Sequence, residues 1–335
     1  MMKAFRNDKG QPRWMLFITL GLAALLLYLA FRGVDWGKMV ETLRQGNVAL
    51  LALAFGVITV SYFLRGMRWR VLLSAEKLLH PLTVFWGTCA GYLGNSFLPA
   101  RAGELIRSAL IAQKGNLSVS FTLATALTER IIDVPVLVIL GLIALPAVDG
   151  IPDWLTGAVR VFALTGVGAT LALLIVPRFE KQVLALLGRL PLPVNLRERV
   201  LAFVQKFLQG LRAFQDPVRA LSFLGLTALV WTLDVVAAMI IASAFGMSFT
   251  PAETILLLAG LGLASAAPST PGYVGIYQFV AVTVLQPFGY SKEQALAYIV
   301  AFQAMTYLIV LVWGLTGLWR LNDGLGKPLP KVVAE

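Results

Sequence analysis

NSFLPARAGE, residues 95–104, sets Pro99, Arg101, Gly103 and Glu104 into otherwise apolar sequence. The interruption returns as APSTPGYVG, residues 267–275. Pro99 and Pro271 are 172 residues apart, and so are Gly103 and Gly275, so Pro-x-x-x-Gly recurs at one offset in both halves of the chain. Backbone broken by Pro and Gly inside a bilayer is tolerated only where protein or a water-filled cavity surrounds it. Paired, interrupted apolar segments at matching positions point to a transporter's binding site. The expectation from this pair is an all-α integral membrane protein with a central polar cavity.

The surrounding sequence agrees. Of 335 residues 58% are hydrophobic and 13% charged, against about 25% charged in a soluble domain. The net charge of +11 is spread between apolar segments rather than gathered in one patch, which suits a cytoplasmic membrane face and not nucleic acid. The single Cys89 excludes an internal disulfide, and the single His80 leaves no histidine-based metal site or catalytic dyad. No cofactor or metal is expected.

Crossing a bilayer takes about 20 apolar residues. Six segments reach or approach this: 14–31, 48–64, 120–145, 157–176, 220–245 and 294–318. Two further regions, 82–113 and 253–288, are each split by a Pro/Gly motif into pieces too short to span. Treated as re-entrant hairpins, with the N-terminus cytoplasmic, they place 19 Lys and Arg inside and 4 outside. Treated as full crossings they move the basic segment 177–219 outside, against the positive-inside rule. The expected plan has a tail at 1–13, a first repeat at 14–146, a second at 147–318 and a tail at 319–335. The repeats are inverted, the second contains a cytoplasmic connector at 177–219, and both termini are cytoplasmic in a plasma membrane (the inner membrane of a bacterium). LRGMRWR, residues 64–70, is expected to anchor the second span at the inner interface through Arg65, Arg68, Trp69 and Arg70.

Ionisable side chains inside a membrane are expensive and mark function by default. Here they are Arg101, Glu104 and Arg107 at the first motif, Glu129, Arg130 and Asp133 on the span 120–145, and Asp234 on the span 220–245. Arginine suits a phosphate because its planar fork donates in pairs and stays charged. A buried ion-pair network that only locks helices is the alternative for the trio, a helix cap for Asp234, and reach to the inner headgroups for Arg107. Asn95, Ser96, Ser269, Thr270 and Tyr273 fall at the hairpin tips, where their polar groups serve either the open backbone or a ligand. Pro99, Gly103, Pro271, Gly272 and Gly275 are the expected hinges.

RGMRW (65–69), GNSFLPARAGELIR (94–107), TERIIDV (128–134) and PSTPGYVG (268–275) together resemble the lysylphosphatidylglycerol synthase transmembrane-region family, uncharacterised protein family 0104. The resemblance extends over nearly the whole chain. It implies a flippase-like role, as in the membrane half of the multiple peptide resistance factor, and carries over to Asn95, Pro99, Arg101, Gly103, Glu104, Arg107, Glu129, Arg130 and Asp133. Two departures qualify it. With residues 319–335 following the last expected span, no aminoacyl-transferase domain is expected, and Gln278 stands where the second motif commonly ends in glutamate. The expected function is a transporter, not an enzyme, moving a phospholipid or polyprenyl-phosphate-linked lipid between leaflets. A membrane enzyme acting on a lipid phosphate, or a non-catalytic partner of a lipid-synthesising enzyme, is the alternative.

Overall fold

A computed structural model describes residues 21, 24–98, 102–148, 179–189, 216–265 and 271–321, with isolated positions between 157 and 205. Pro99, Arg101, Ser269, Thr270, most of both expected tails, most of the segment 157–176 and about half of the segments 14–31 and 177–219 lie outside these residues. Every described element is helical.

Residues 24–31 end a helix that leads into α1, Trp36–Arg44. There follow α2 (Val48–Leu73), α3 (Pro81–Phe97), α4 (Gly103–Gly115), α5 (Val119–Ala144), α6 (Glu180–Gly188), α7 (Pro217–Ala244), α8 (Pro251–Ala264), α9 (Ile276–Leu285) and α10 (Lys292–Leu321). The caps follow the sequence. Asn47, Ser118, Asp216 and Thr250 each accept backbone N–H bonds at the helix they precede, with Pro217 and Pro251 at N1 where no donor is lost. Among the described residues four helices are long and apolar enough to cross a membrane: α2, α5 with its short extension to Ala147, α7 and α10. The protein is an all-helical membrane protein. By contrast α3 has 17 residues and α4, α8 and α9 have 13, 14 and 10; even α3 reaches only about 25 Å, short of a core near 30 Å.

Hydrogen bonds fix how these pieces run. α2 and α7 lie antiparallel, because Asn47 N–H donates to Ala244 O at one end while Ser61 and Arg65 reach Asp234 further along. The α3–α4 hairpin opens at the far end of α2, where Lys77 Nζ donates to the carbonyl of Gly115 at 2.9 Å. The α8–α9 hairpin opens at the other end, just after Ala244, where Tyr290 Oη donates to Ser248 O at 3.0 Å and its ring meets Phe249. The two hairpins therefore enter the helix cluster from opposite ends. α3 packs on α10 and α8 on α5; α4 packs on α5 and α9 on α10.

The first hairpin is closed by glycine. An added Cβ on Gly103 would stand 1.9 Å from Gly91 O, and one on Gly94 would stand 2.7 Å from the Cα of Gly103. Gly103 is thus needed for the contact between α3 and α4 rather than for an unusual backbone angle. The second hairpin breaks at Gly272 (φ 71), Tyr273 (φ 61) and Gly275 (φ 93), all in the left-handed half of backbone space. Gly272 and Gly275 thus occupy backbone angles that favour glycine.

Candidate functional site

The middle of α2 carries Ser61, Arg65 and Arg68, a spacing of i, i+4, i+7 that puts all three on one face. That face turns inward. Arg68 is fully buried: its Nε and Nη2 donate to Glu129 Oε1 at 3.0 and 2.9 Å, and its Nη1 and Nη2 to the two Asp133 oxygens at 2.6 and 3.0 Å. Trp69 is also fully buried and donates Nε1–H to Thr125 at 3.1 Å. The expectation that Arg65, Arg68 and Trp69 anchor the span at the interface is therefore corrected. The helix does not end at 64 but continues to Leu73, carrying these side chains into the protein.

Arg107 is likewise internal, not reaching for headgroups. It donates to Glu104 Oε2 at 2.5 Å and to Glu129 Oε2 at 3.0 Å, and its guanidinium lies 4.5 Å from the centre of the Trp69 ring. Arg130 donates to Glu104 Oε1 at 3.0 Å, approaches Asp133 at 3.5 Å, and covers the Tyr92 ring at 5.3 Å. Asn95 Nδ2 adds a bond to Glu104 Oε1 at 3.2 Å. Asp234 caps no break, since α7 runs unbroken through it; it accepts from Arg65 and from the Ser61 hydroxyl.

Four arginines, 65, 68, 107 and 130, thus face four carboxylates, 104, 129, 133 and 234. The set is neutral. Isolated charges of this depth would cost several kcal/mol each, and pairing with bidentate arginines makes them tolerable. The members divide by exposure. Arg68, Arg107 and Glu129 are sealed, with side chains 0% exposed. Arg130 retains 25% and Arg65 15%.

Those two arginines open on a chamber of two adjoining cavities, about 210 and 250 Å³, with Tyr62, Arg65, Trp231, Tyr273 and Tyr277 lining both. One side is the first hairpin, through Tyr92, Asn95, Ser96 and Glu104; the other is the second, through Gly262, Ser265 and Tyr273; α5 adds Arg130 and Asp133, and α7 adds Asp234. Asn95, Glu104, Arg130, Asp133, Asp234 and Tyr273 are therefore brought together. Arg107 and Glu129 stand behind the wall. Gln278 is turned into its own hairpin, where Oε1 accepts from Gly275 N–H at 2.8 Å and Nε2 donates to Gln303, which in turn donates to Gly272 O. Arg101 falls outside the described residues. No group of three or more His, Cys, Asp or Glu side chains suited to a metal ion occurs among the described residues.

Sequence reading missed Arg65, Arg68, Tyr92 and Trp231. For the arginines the signal was present: Ser61, Arg65 and Arg68 recur with helical period on the face toward which the other intramembrane charges had to point. Nothing in the sequence singled out Tyr92 and Trp231 from other aromatic residues of the apolar segments.

A model of the Lysylphosphatidylglycerol synthase TM region family matches residues 16–314. Glycosyltransferase AglD of Haloferax volcanii is 28% identical over 348 residues, covering 93% of this chain and 54% of AglD. The chain spans about half the length of that curated relative. It belongs to the Lysylphosphatidylglycerol synthase TM region family.

Proposed function

We propose that this family member is a lipid translocase, passing a lipid headgroup phosphate through the chamber while the acyl or prenyl tails stay in the bilayer. The observation that carries the reading is the chamber itself. It lies between two hairpins too short to cross, entering from opposite ends, with Arg65 and Arg130 partly open to it. Both arginines have donors to turn toward a phosphate, and their carboxylate partners balance the charge when no anion is present.

In the bilayer the four long helices, with the segments 14–31 and 157–176, make six crossings, and the hairpins are re-entrant. The pairing of elements supports an inverted repeat. Exchanging α2 with α7, α3 with α8, α4 with α9 and α5 with α10 turns the main hairpin packings into one another: α3 on α10 becomes α8 on α5, α4 on α5 becomes α9 on α10, and α2 on α7 returns to itself. Repeats related in this way offer two equivalent packings of one site, the geometry from which alternating access arises. Both termini face the cytoplasm of a plasma membrane, as the Lys/Arg distribution favours.

The test is leaflet exchange of fluorescent lipids in liposomes holding the purified protein. Exchange well above that of protein-free liposomes is expected, and Arg130→Gln should lower it at least tenfold. Chemical conversion of the lipid without exchange would instead favour the second reading, a membrane enzyme or the membrane part of one, to which the relative named a glycosyltransferase lends support.

A further inference from the structure

Among the described residues five buried side-chain polar atoms have no hydrogen-bond partner: Arg65 Nε, Tyr92 Oη, Asn95 Oδ1, Ser108 Oγ and Trp231 Nε1. Unpaired groups of this kind are few in native proteins, and each calls for an explanation. Four of the five belong to residues that line the chamber. Asn95 Oδ1 is turned against Gly103, near where a Cβ there would stand. The other three, on α2, α3 and α7, are the N–H of a guanidinium, the O–H of a phenol and the N–H of an indole. All three are donors, and the indole and guanidinium N–H can accept nothing.

The carboxylates of the chamber are already engaged by cations of the protein. Both oxygens of Glu104 and of Asp133 take arginine bonds, and Asp234 is held by Arg65 and Ser61. Several of the rings already hold a neighbour on one face: Arg130 lies over Tyr92, Arg65 6.0 Å from the centre of the Trp231 ring, and Tyr273 stacks on Tyr277 at 4.9 Å. A headgroup amine entering here would lose its water and meet only carboxylates already paired with arginines, whose positive charge repels it.

From this we infer that the chamber selects a lipid phosphate whose headgroup bears hydroxyls and no amine, and rejects aminoacyl and ethanolamine headgroups. Phosphate and hydroxyl oxygens supply the acceptors that Arg65 Nε, Tyr92 Oη and Trp231 Nε1 lack. The inference rests on the chamber being the headgroup path. Glycerol and a sugar ring share the required chemistry.

The experiment uses acyl-chain-labelled lipids in liposomes carrying the full chain: phosphatidylglycerol and phosphatidylinositol against phosphatidylethanolamine and lysylphosphatidylglycerol. Exchange of one or both hydroxyl lipids at least about tenfold faster than either amine lipid is expected, and which of the two moves identifies glycerol or ring as the preferred group. Equal or faster exchange of an amine lipid would overturn the selectivity while leaving translocation intact. No exchange of any lipid would remove the translocase reading and this inference with it. Tyr92→Phe and Trp231→Phe delete one donor each and keep the ring; because neither donor has a protein partner, folding is retained. Each should slow the hydroxyl lipid by about tenfold, as loss of a hydrogen bond to a charged oxygen does. Unchanged rates in both variants would also overturn the proposal.

Discussion

Arg65 and Asp234 tie α2 to α7, and their energetics are open to measurement. Both side chains are 15% exposed, so solvent screens the pair only in part. At an effective dielectric near 20, opposite charges about 4 Å apart attract by about 4 kcal/mol, and each ion's desolvation offsets much of this. Removing one partner alone forfeits the attraction and leaves the other charge buried. Arg65→Gln or Asp234→Asn should therefore each cost about 3–5 kcal/mol. The double variant places two neutral amides where the ions were, with Ser61 still within reach of the side chain at 234. It should be more stable than the sum of the singles predicts by about 1–3 kcal/mol, the coupling expected of residues in contact. Reversible unfolding in mixed detergent micelles, run on all four proteins, gives the cycle. Strict additivity of the two single effects would refute the argument, since it would mean that neither charge depends on the other.

Other outcomes follow from particular contacts. Gly103→Ala should abolish folded, monodisperse protein, because its Cβ would meet Gly91 O at 1.9 Å and Asn95 N at 2.5 Å, whereas Gly225→Ala, with nothing within 4 Å, should purify normally; size-exclusion chromatography compares them. Lys77→Cys and Lys114→Cys should label from one side of the membrane and Ser248→Cys from the other, as hairpins opening at opposite ends require; labelling of 77 and 114 from different sides would remove the re-entrant arrangement. Gln278→Glu should lower the thermal unfolding temperature by an amount equivalent to about 1–3 kcal/mol, since the carboxylate can no longer donate to Gln303. It should not confer exchange of lysyl-lipid, because the side chain serves the hairpin backbone and not the chamber.

The apolar elements were legible because their signals are local. Run length separated the four long helices from the short ones, and Pro and Gly marked the breaks between 97 and 103 and near 272. The expected span starts 120 and 220 fall close to the observed Val119 and Pro217, each set by a cap that the sequence displays. What length could not deliver was the end of α2. A hydropathy argument stops at the first arginine, since a lone charge in lipid is costly, yet Arg65 and Arg68 are not alone. Their partners come from α5 and α7, at sequence separations of 61 to 169 residues, and no local pattern reveals such pairing.

The same non-local pairing changes how the charges are to be understood. Taken one at a time, each intramembrane charge is a candidate for substrate contact with a structural alternative beside it. Paired as they are, they separate into a sealed group and an open one. Arg68, Arg107 and Glu129 hold α2, α4 and α5 together at a depth where no ligand reaches. Arg65 and Arg130 are held at the chamber wall by Asp234, Glu104 and Asp133, so their guanidiniums stay in place without a ligand. A fixed guanidinium loses less freedom when it binds than a free one, and pre-organisation of this kind is what a transient passenger requires. Moving Arg68 from the headgroup region into this sealed group and Arg65 to the chamber wall lowers the count of inner-face Lys and Arg from 19 to 17 against 4 outside. The excess of Lys and Arg on the inner face thus persists without either arginine, and on the proposed function both are freed for the site: Arg65 to contact the headgroup, Arg68 to hold the wall.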